Sequence, residues 1–179
     1  MNIINESIKS VDPTIIKKPN TLRSEVLNLL NARIGDEYAA HFFYRDAANW
    51  CHNMSYKKAG AFFDGEANNE LAHALKLQEY ITSWDGFPVI PQALTNRKFN
   101  NLAEIVVGAY DMEFGLFNKY MENSKTIFNL DLATFDFLVF FRNEQTAAVA
   151  EYADLLNALQ LINPENNFEL LYFENQYFG

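Results

Sequence analysis

Six side chains in this 179-residue chain combine metal-seeking or hydrogen-bonding groups with positions inside apolar helical stripes: Glu37, Tyr44, Glu70, His73, Glu113 and Gln145. Glu37 shares a helical face with His41 and Tyr44, four and seven residues further on. Glu70 and His73 are three apart and therefore point the same way. Glu113 lies between Met112 and Phe114, and Gln145 follows Phe140, Phe141 and Glu144. Hard, oxidisable divalent iron takes carboxylate oxygens and imidazole nitrogen, ideally with one carboxylate bridging two ions roughly 3.5–4 Å apart. One oxygen-bearing residue per helix, at similar heights, with a single Glu-x-x-His pair, meets that requirement. Burying three carboxylates without cations would cost several kcal/mol each, or force their protonation.

Taken singly, each residue has an ordinary reading. A lone Glu-x-x-His arises often by chance, Glu113 reads as a groove residue, and Tyr44 reads as core. His41 reads as a satisfied core or cavity-wall histidine, His52 beside Cys51 as structural, and Glu66 as part of a solvated inner face. Only their combination, in order on four helices, points to a metal centre.

The elements that must position these groups follow from apolar spacing and caps. Residues 1–20 are polar, carry Pro13 and Pro19, and read as an N-terminal arm. Residues 21–162 read as one four-helix bundle, and 163–179 as a short C-terminal helix. From Leu22 the apolar period is close to 3.6 (Leu22, Val26, Leu29, Leu30, Ile34, Tyr38), predicting a first helix that ends near Asn53. Ser55 is expected to cap a second helix, which Asp85-Gly86 and Pro88 stop after about Trp84. The stretch from Gly86 to Asn100 is long enough to return the chain to the other end of a bundle, making helices two and three parallel. Asn101 with Glu104 has capping-box spacing and opens a third helix to about Thr126. Asp131 caps a fourth, expected to reach about Leu161 before Pro164. The tail carries Phe168, Leu171, Tyr172, Phe173 and Tyr177 at amphipathic spacing.

Composition sets the outer limits. Apolar residues make up 49%, with only 7 Gly and 5 Pro, which favours long helices over a turn-rich sandwich or barrel. The net charge of −9 argues against nucleic acid and anionic membrane as partners and suits a collector of cations. The single Cys51 leaves no internal disulfide framework and no cysteine-based zinc module. The longest strongly apolar run, Phe137 to Phe141, is too short to span a bilayer. Met1 to Ser7 shows no basic stretch followed by an apolar one, so no secretory signal is expected and a reduced, cytoplasmic setting is.

With these residues in place the sequence resembles a ferritin of the non-haem bacterial kind, over nearly everything from Leu22 onward. The resemblance rests on Asp36-Glu37-Tyr38 with Tyr44, Trp50-Cys51, Asn69-Glu70-Leu71-Ala72-His73-Ala74 and Asp111-Met112-Glu113-Phe114. It continues through Thr134-Phe135-Asp136-Phe137-Leu138, Asn143-Glu144-Gln145 and Leu171-Tyr172-Phe173-Glu174. It implies an all-α, ferritin-like four-helix bundle with one long crossover and a short fifth helix, assembled as a 24-subunit cage with that helix at the four-fold axis. It also implies ferroxidase activity at a dinuclear iron centre, with dioxygen or peroxide as oxidant and Fe(III) stored in the cavity. In that scheme Glu37, Glu70 and His73 hold one iron, Glu70 bridges to a second held by Glu113, and Gln145 sits near that second iron or positions dioxygen. Tyr44 hydrogen-bonds the site and supplies an electron.

The departures from that family pattern are specific. A haem-binding relative would carry a second Glu-x-x-His on helix four and Met after the helix-two Glu; here stand Gln145-x-x-Ala148 and Leu71, so no haem is expected. Asn69, Ala72, Leu75 and Ala147 occupy positions where cavity carboxylates that nucleate mineral are expected, which predicts slow nucleation, with Glu144 and Glu66 compensating in part. Two other readings stay open at this point. One is a ferritin-like structural or assembly protein with little iron turnover. The other is a soluble di-iron oxidase of an organic substrate, which would need an apolar pocket beside the metals.

Overall fold

A computed structural model describes residues 22–92 and 97–178. The proposed arm at 1–20 lies outside these described residues. Among the described residues five helices follow in chain order: α1 (Ser24–Asn53), α2 (Lys57–Ser83), α3 (Leu102–Phe128), α4 (Leu132–Leu159) and α5 (Asn167–Tyr177). The chain folds as a ferritin-like four-helix bundle with a short C-terminal helix, as its periodicity predicts. No described helix is long and apolar enough to cross a membrane.

Local chemistry sets most helix ends. The Asn101 side chain accepts from the Glu104 backbone N–H at 2.8 Å, and Asp131 accepts from Thr134 N–H at 3.0 Å. Glu104 turns back onto the Asn100 N–H at 2.7 Å, one residue earlier than a standard capping box would place it. Asp85 adopts φ 58°, and the following Gly86 N–H bonds the Ile81 carbonyl at 3.0 Å, closing α2. α4 ends at Leu159, slightly before the expected Leu161.

The expected Ser55 cap is not found. Ser55 sits in the left-handed region at φ 69°, and α2 starts after Tyr56, which stacks on Trp50. The first amides of α2 are satisfied from far along the chain. Glu174 of α5, buried to 3% exposure, accepts from Lys58 N–H at 2.6 Å and Ala59 N–H at 3.2 Å. A carboxylate at a helix N-terminus also meets the favourable end of the helix dipole, so this contact docks α5 while capping α2.

Pairings across the bundle give its directions. Tyr120 meets Glu37 and Tyr44 meets Glu113, so α1 and α3 are antiparallel. Tyr80 meets Thr134 and Phe62 meets Tyr152, so α2 and α4 are antiparallel too. α1 and α2 form a hairpin whose contacts include Tyr38 with Gln78 and Arg45 with Asp64. Hence α2 and α3 run the same way, as the long crossover requires.

The core is divided. One apolar cluster joins Phe43, Tyr44, Phe63, Ile105, Tyr152 and Phe173 near one end. The other joins Val26, Leu30, Leu77, Ile81, Tyr120 and Phe141 near the opposite end. Between them, at one height on each long helix, lie Glu37, Glu70, Glu113 and Gln145, all buried.

Candidate metal centre

Four helices each deliver one buried oxygen-bearing side chain to this polar layer, because every one carries its apolar stripe on both sides of it. Glu37 comes from α1, Glu70 from α2, Glu113 from α3 and Gln145 from α4. One turn along α2 from Glu70 is His73, whose Nδ1 lies 3.3 Å from Glu70 Oε2 and 3.6 Å from Glu37 Oε2. One ligand atom from each of Glu37, Glu70 and His73 falls within 4.8 Å of the others, a spacing that fits a single cation.

Glu113 completes the layer on the other side. Its Oε1 accepts a hydrogen bond from the Tyr44 hydroxyl, and Gln145 approaches the same carboxylate from α4. Glu37 accepts on Oε1 from the Tyr120 hydroxyl. Among the described residues, three buried oxygens of this layer have no hydrogen-bond partner: Glu37 Oε2, Glu113 Oε2 and Gln145 Oε1. Unsatisfied buried acceptors are costly, and a set of them around carboxylates and an imidazole fits a hard or borderline divalent ion.

The electrostatics carry the same mark. Burial, reinforced by the charges of Glu37 and Glu113, holds Glu70 well above the usual carboxylate range, against the pull of its His73 hydrogen bond. Burial likewise lifts Glu113 to about 7 despite the hydrogen bonds from Tyr44 and Gln145. For His73, burial alone would lower the pKa, but the Glu37 and Glu70 carboxylates facing its Nδ1 carry it up to about 10. The Tyr44 and Tyr120 phenols are raised well above 10, chiefly by burial. The layer therefore carries more negative charge than the protein interior supports, and cations relieve it.

A pocket of about 150 Å³ opens the layer to the surface. Glu66, Asn69, Glu144, Ala147, Ala148 and Glu151 surround it, with Glu70, His73 and Gln145 at its depth. Asn69, Ala72, Leu75 and Ala147 are exposed on this side, so the positions expected for mineral-nucleating carboxylates do face solvent here without carrying any. A wider recess beside His73 is lined by Leu75, Lys76, Glu79, Phe140 and Glu144. It mixes polar and apolar groups and lacks the closed apolar wall that an organic substrate would require.

All six candidate residues come together in this layer. The three residues read as bystanders stand apart from it. His41 Nδ1 lies 2.6 Å from the Ala67 carbonyl, His52 pairs with Asp64 at 2.8 Å, and Glu66 accepts from Asn69. Sequence reasoning missed Tyr120 and Tyr152. Tyr152 stacks on Tyr44 at 6.1 Å. Tyr120 carried a legible signal: the Glu113-to-Tyr120 interval repeats the Glu37-to-Tyr44 interval of seven residues.

Comparison with known proteins identifies the family and the fold. A family model described as a ferritin-like domain matches residues 27–162. The chain is 29% identical over 160 residues to a bacterial non-heme ferritin of Campylobacter jejuni, covering 87% of this chain and 93% of that one. It is 25% identical over 154 residues to a bacterial non-heme ferritin of Escherichia coli O6:H1, covering 85% and 92%. A solved structure titled humanized archaeal ferritin superposes with a TM-score of 0.80 at 19% identity, covering 88% of this chain and 96% of its own. At that identity the likeness speaks for the fold.

Proposed function

Because this chain belongs to the ferritin family, defined by its ferritin-like domain, we propose that it oxidises Fe(II) to Fe(III) at an intra-subunit dinuclear centre and stores the product in the cavity of a cage. The observation that carries this reading is the buried layer of Glu37, Glu70, Glu113 and Gln145, one from each long helix, joined by His73, in which Glu37 Oε2, Glu113 Oε2 and Gln145 Oε1 have no hydrogen-bond partner among the described residues.

Iron is the substrate. Glu37, Glu70 and His73 bind one Fe(II), Glu70 bridges, and Glu113 with Gln145 receives the other. Two Fe(II) surrender one electron each, which reduces dioxygen to peroxide, or peroxide to water, with protons drawn from solvent. The chain's contribution is geometric and electrostatic: it fixes the ligands in a largely dry layer and excludes competing chemistry. Tyr44 orients Glu113 through the hydrogen bond that its hydroxyl donates to Oε1. The pocket lined by Glu66, Glu144 and Glu151 gives Fe(III) an acidic route toward the cavity.

The proposed assembly is a 24-subunit homo-oligomer in the cytoplasm. Phe87, Leu132, Leu161 and Phe168 are exposed on the isolated subunit, and apolar surface of this kind is commonly covered between subunits. The rim residues Asn69, Ala72, Leu75 and Ala147 favour one other reading, a structural or assembly protein with little iron turnover.

One experiment separates these readings: iron retained per chain after aerobic Fe(II) loading and desalting, with the assembly mass measured on the same sample. We expect retention far above the roughly two ions that a dinuclear centre holds. Retention that stops at about two would mean an oxidising centre without a store, and none would favour the structural reading.

A further inference from the structure

The Glu-x6-Tyr interval occurs twice, as Glu37 to Tyr44 on α1 and Glu113 to Tyr120 on α3. Seven residues make close to two helical turns, so each Glu and its Tyr share a face about 10 Å apart along the axis. Because α1 and α3 are antiparallel, each tyrosine lies opposite the other helix's glutamate. Both cross-contacts form: Tyr44 donates to Glu113 Oε1 and Tyr120 donates to Glu37 Oε1.

Each tyrosine is fully buried and held by its ring. Tyr44 packs between Phe63 at 6.0 Å and Tyr152 at 6.1 Å. Tyr120 stacks on Phe141 at 5.2 Å, with the Arg33 guanidinium 5.9 Å from its centroid. Arg33 is itself tethered to Asp36 at 2.7 Å, and Lys119 of α3 reaches Asp36 at 2.7 Å. The phenol oxygens therefore have little freedom, and the carboxylates they hold inherit that restriction. What remains on each is one buried oxygen without a hydrogen-bond partner, Oε2 of Glu37 and Oε2 of Glu113.

We propose that Tyr120 is a positioning residue, the second of two reciprocal tyrosine braces, which occupies Oε1 of Glu37 so that this carboxylate meets iron through Oε2 alone. The inference rests on the metal-centre reading above and extends it to a residue on the opposite side of the layer from Tyr44. One-oxygen binding at both outer carboxylates leaves coordination positions free for the oxidant, and outer hydrogen bonds of this kind commonly change metal affinity 10–100-fold.

The test titrates the intact assembly anaerobically with Co(II) and with Zn(II), following heat and the Co(II) absorption, in wild type, Tyr120→Phe and Tyr44→Phe. The binding step at the Glu37 position is identified as the one that His73→Ala removes. Tyr120→Phe is expected to weaken that step about tenfold and leave the other in place, while Tyr44→Phe does the converse. In a Glu37→Gln background, Tyr120→Phe is expected to have no further effect. An unchanged isotherm in Tyr120→Phe, or an equal loss in both backgrounds, would overturn the brace. Should Tyr120→Phe not fold, the carboxylate stretching bands of wild type on Zn(II) binding decide: wide splittings mean one-oxygen binding and support the brace, and narrow two-oxygen splittings overturn it. A wild-type assembly that binds neither ion would instead overturn the metal-centre reading beneath it.

Discussion

The two sides of the polar layer share a backbone plan and differ in chemistry. On α2, Glu70 and His73 stand three residues apart and face the layer; on α4, Gln145 and Ala148 hold the same spacing and line the same small pocket. The first side thus meets a cation with two carboxylates and an imidazole, the second with one carboxylate, an amide and a methyl group. Without iron the two sides also neutralise themselves differently. On the first, His73 is raised to about 10 by Glu37 and Glu70 and acts as an internal cation. On the second, Glu113 has no cationic neighbour in the layer, and burial lifts it to about 7, as burial also raises Glu70 on the first side. Under the dinuclear centre proposed above, the contrast gives the α2 side the tighter position and the α4 side the looser one.

The largest effect expected from this asymmetry is loss of the tight side. Glu70→Ala combined with His73→Ala removes the bridging carboxylate and the imidazole together, leaving Glu37 as a single ligand. Stopped-flow Fe(II) oxidation should slow by on the order of 100-fold or more, a loss at or beyond the upper end of what outer partners cost. Folding should persist, because removing a buried carboxylate from a crowded negative layer relieves repulsion. Unchanged kinetics in a folded double variant would mean that oxidation occurs elsewhere and that the two sides do not divide the work.

Next in size is the response of the metal-free protein to pH. Glu113 has an unfolded value near 4.5 and a folded value of about 7, so the folded state binds the extra proton and stability declines as pH rises through that window. His73, near 6.5 when unfolded and about 10 when folded, contributes stability present below 6.5 and lost as pH rises toward 10. Both slopes have the same sign, so chelated protein should melt progressively lower from pH 5 to pH 9. The Glu113 limb amounts to about 3 kcal/mol at most. Glu113→Gln should flatten the melting profile between pH 4.5 and 7, and saturating Zn(II) should raise the alkaline end most. A Glu113→Gln profile that overlays wild type would remove the proposed difference between the two sides.

What was legible in the sequence was whatever is local or periodic. The four long helices, the Asn101 and Asp131 caps and the parallel run of α2 and α3 follow from stripes, caps and a long connection. The six candidate residues, which the fold brings into one layer, could be picked because polar groups interrupt apolar stripes at matching heights. Long-range contacts were not legible. Ser55 looked like a cap because it precedes an apolar stretch, yet the amides it would have served are taken by Glu174, more than a hundred residues away. Tyr120 went unread, because the contact that sets it apart is with a partner 83 residues earlier on an antiparallel helix. His41 shows the reverse: on the same helical face as Glu37, it turns to the Ala67 carbonyl because α2 packs against that edge.

The smallest of the three effects is also the most direct repair of the asymmetry. Ala148 is half-buried, three residues beyond Gln145, and lines the pocket that reaches Glu70 and His73. Ala148→Glu would give α4 a carboxylate at the spacing that α2 gives to His73, and the open pocket admits the longer side chain without displacing core. Coulombic attraction from one added carboxylate should tighten the weaker Zn(II) step about tenfold, or ~1.4 kcal/mol, leaving the His73-dependent step in place. The same charge should destabilise the metal-free protein at neutral pH, since it joins Glu66, Glu70 and Glu113 without a new cation. Those two shifts belong together: a carboxylate that reaches the layer must both attract the ion and repel its neighbours when the ion is absent. An Ala148→Glu variant with neither shift would show that the carboxylate points to the rim, and that the weaker position is set by Glu113 and Gln145 alone.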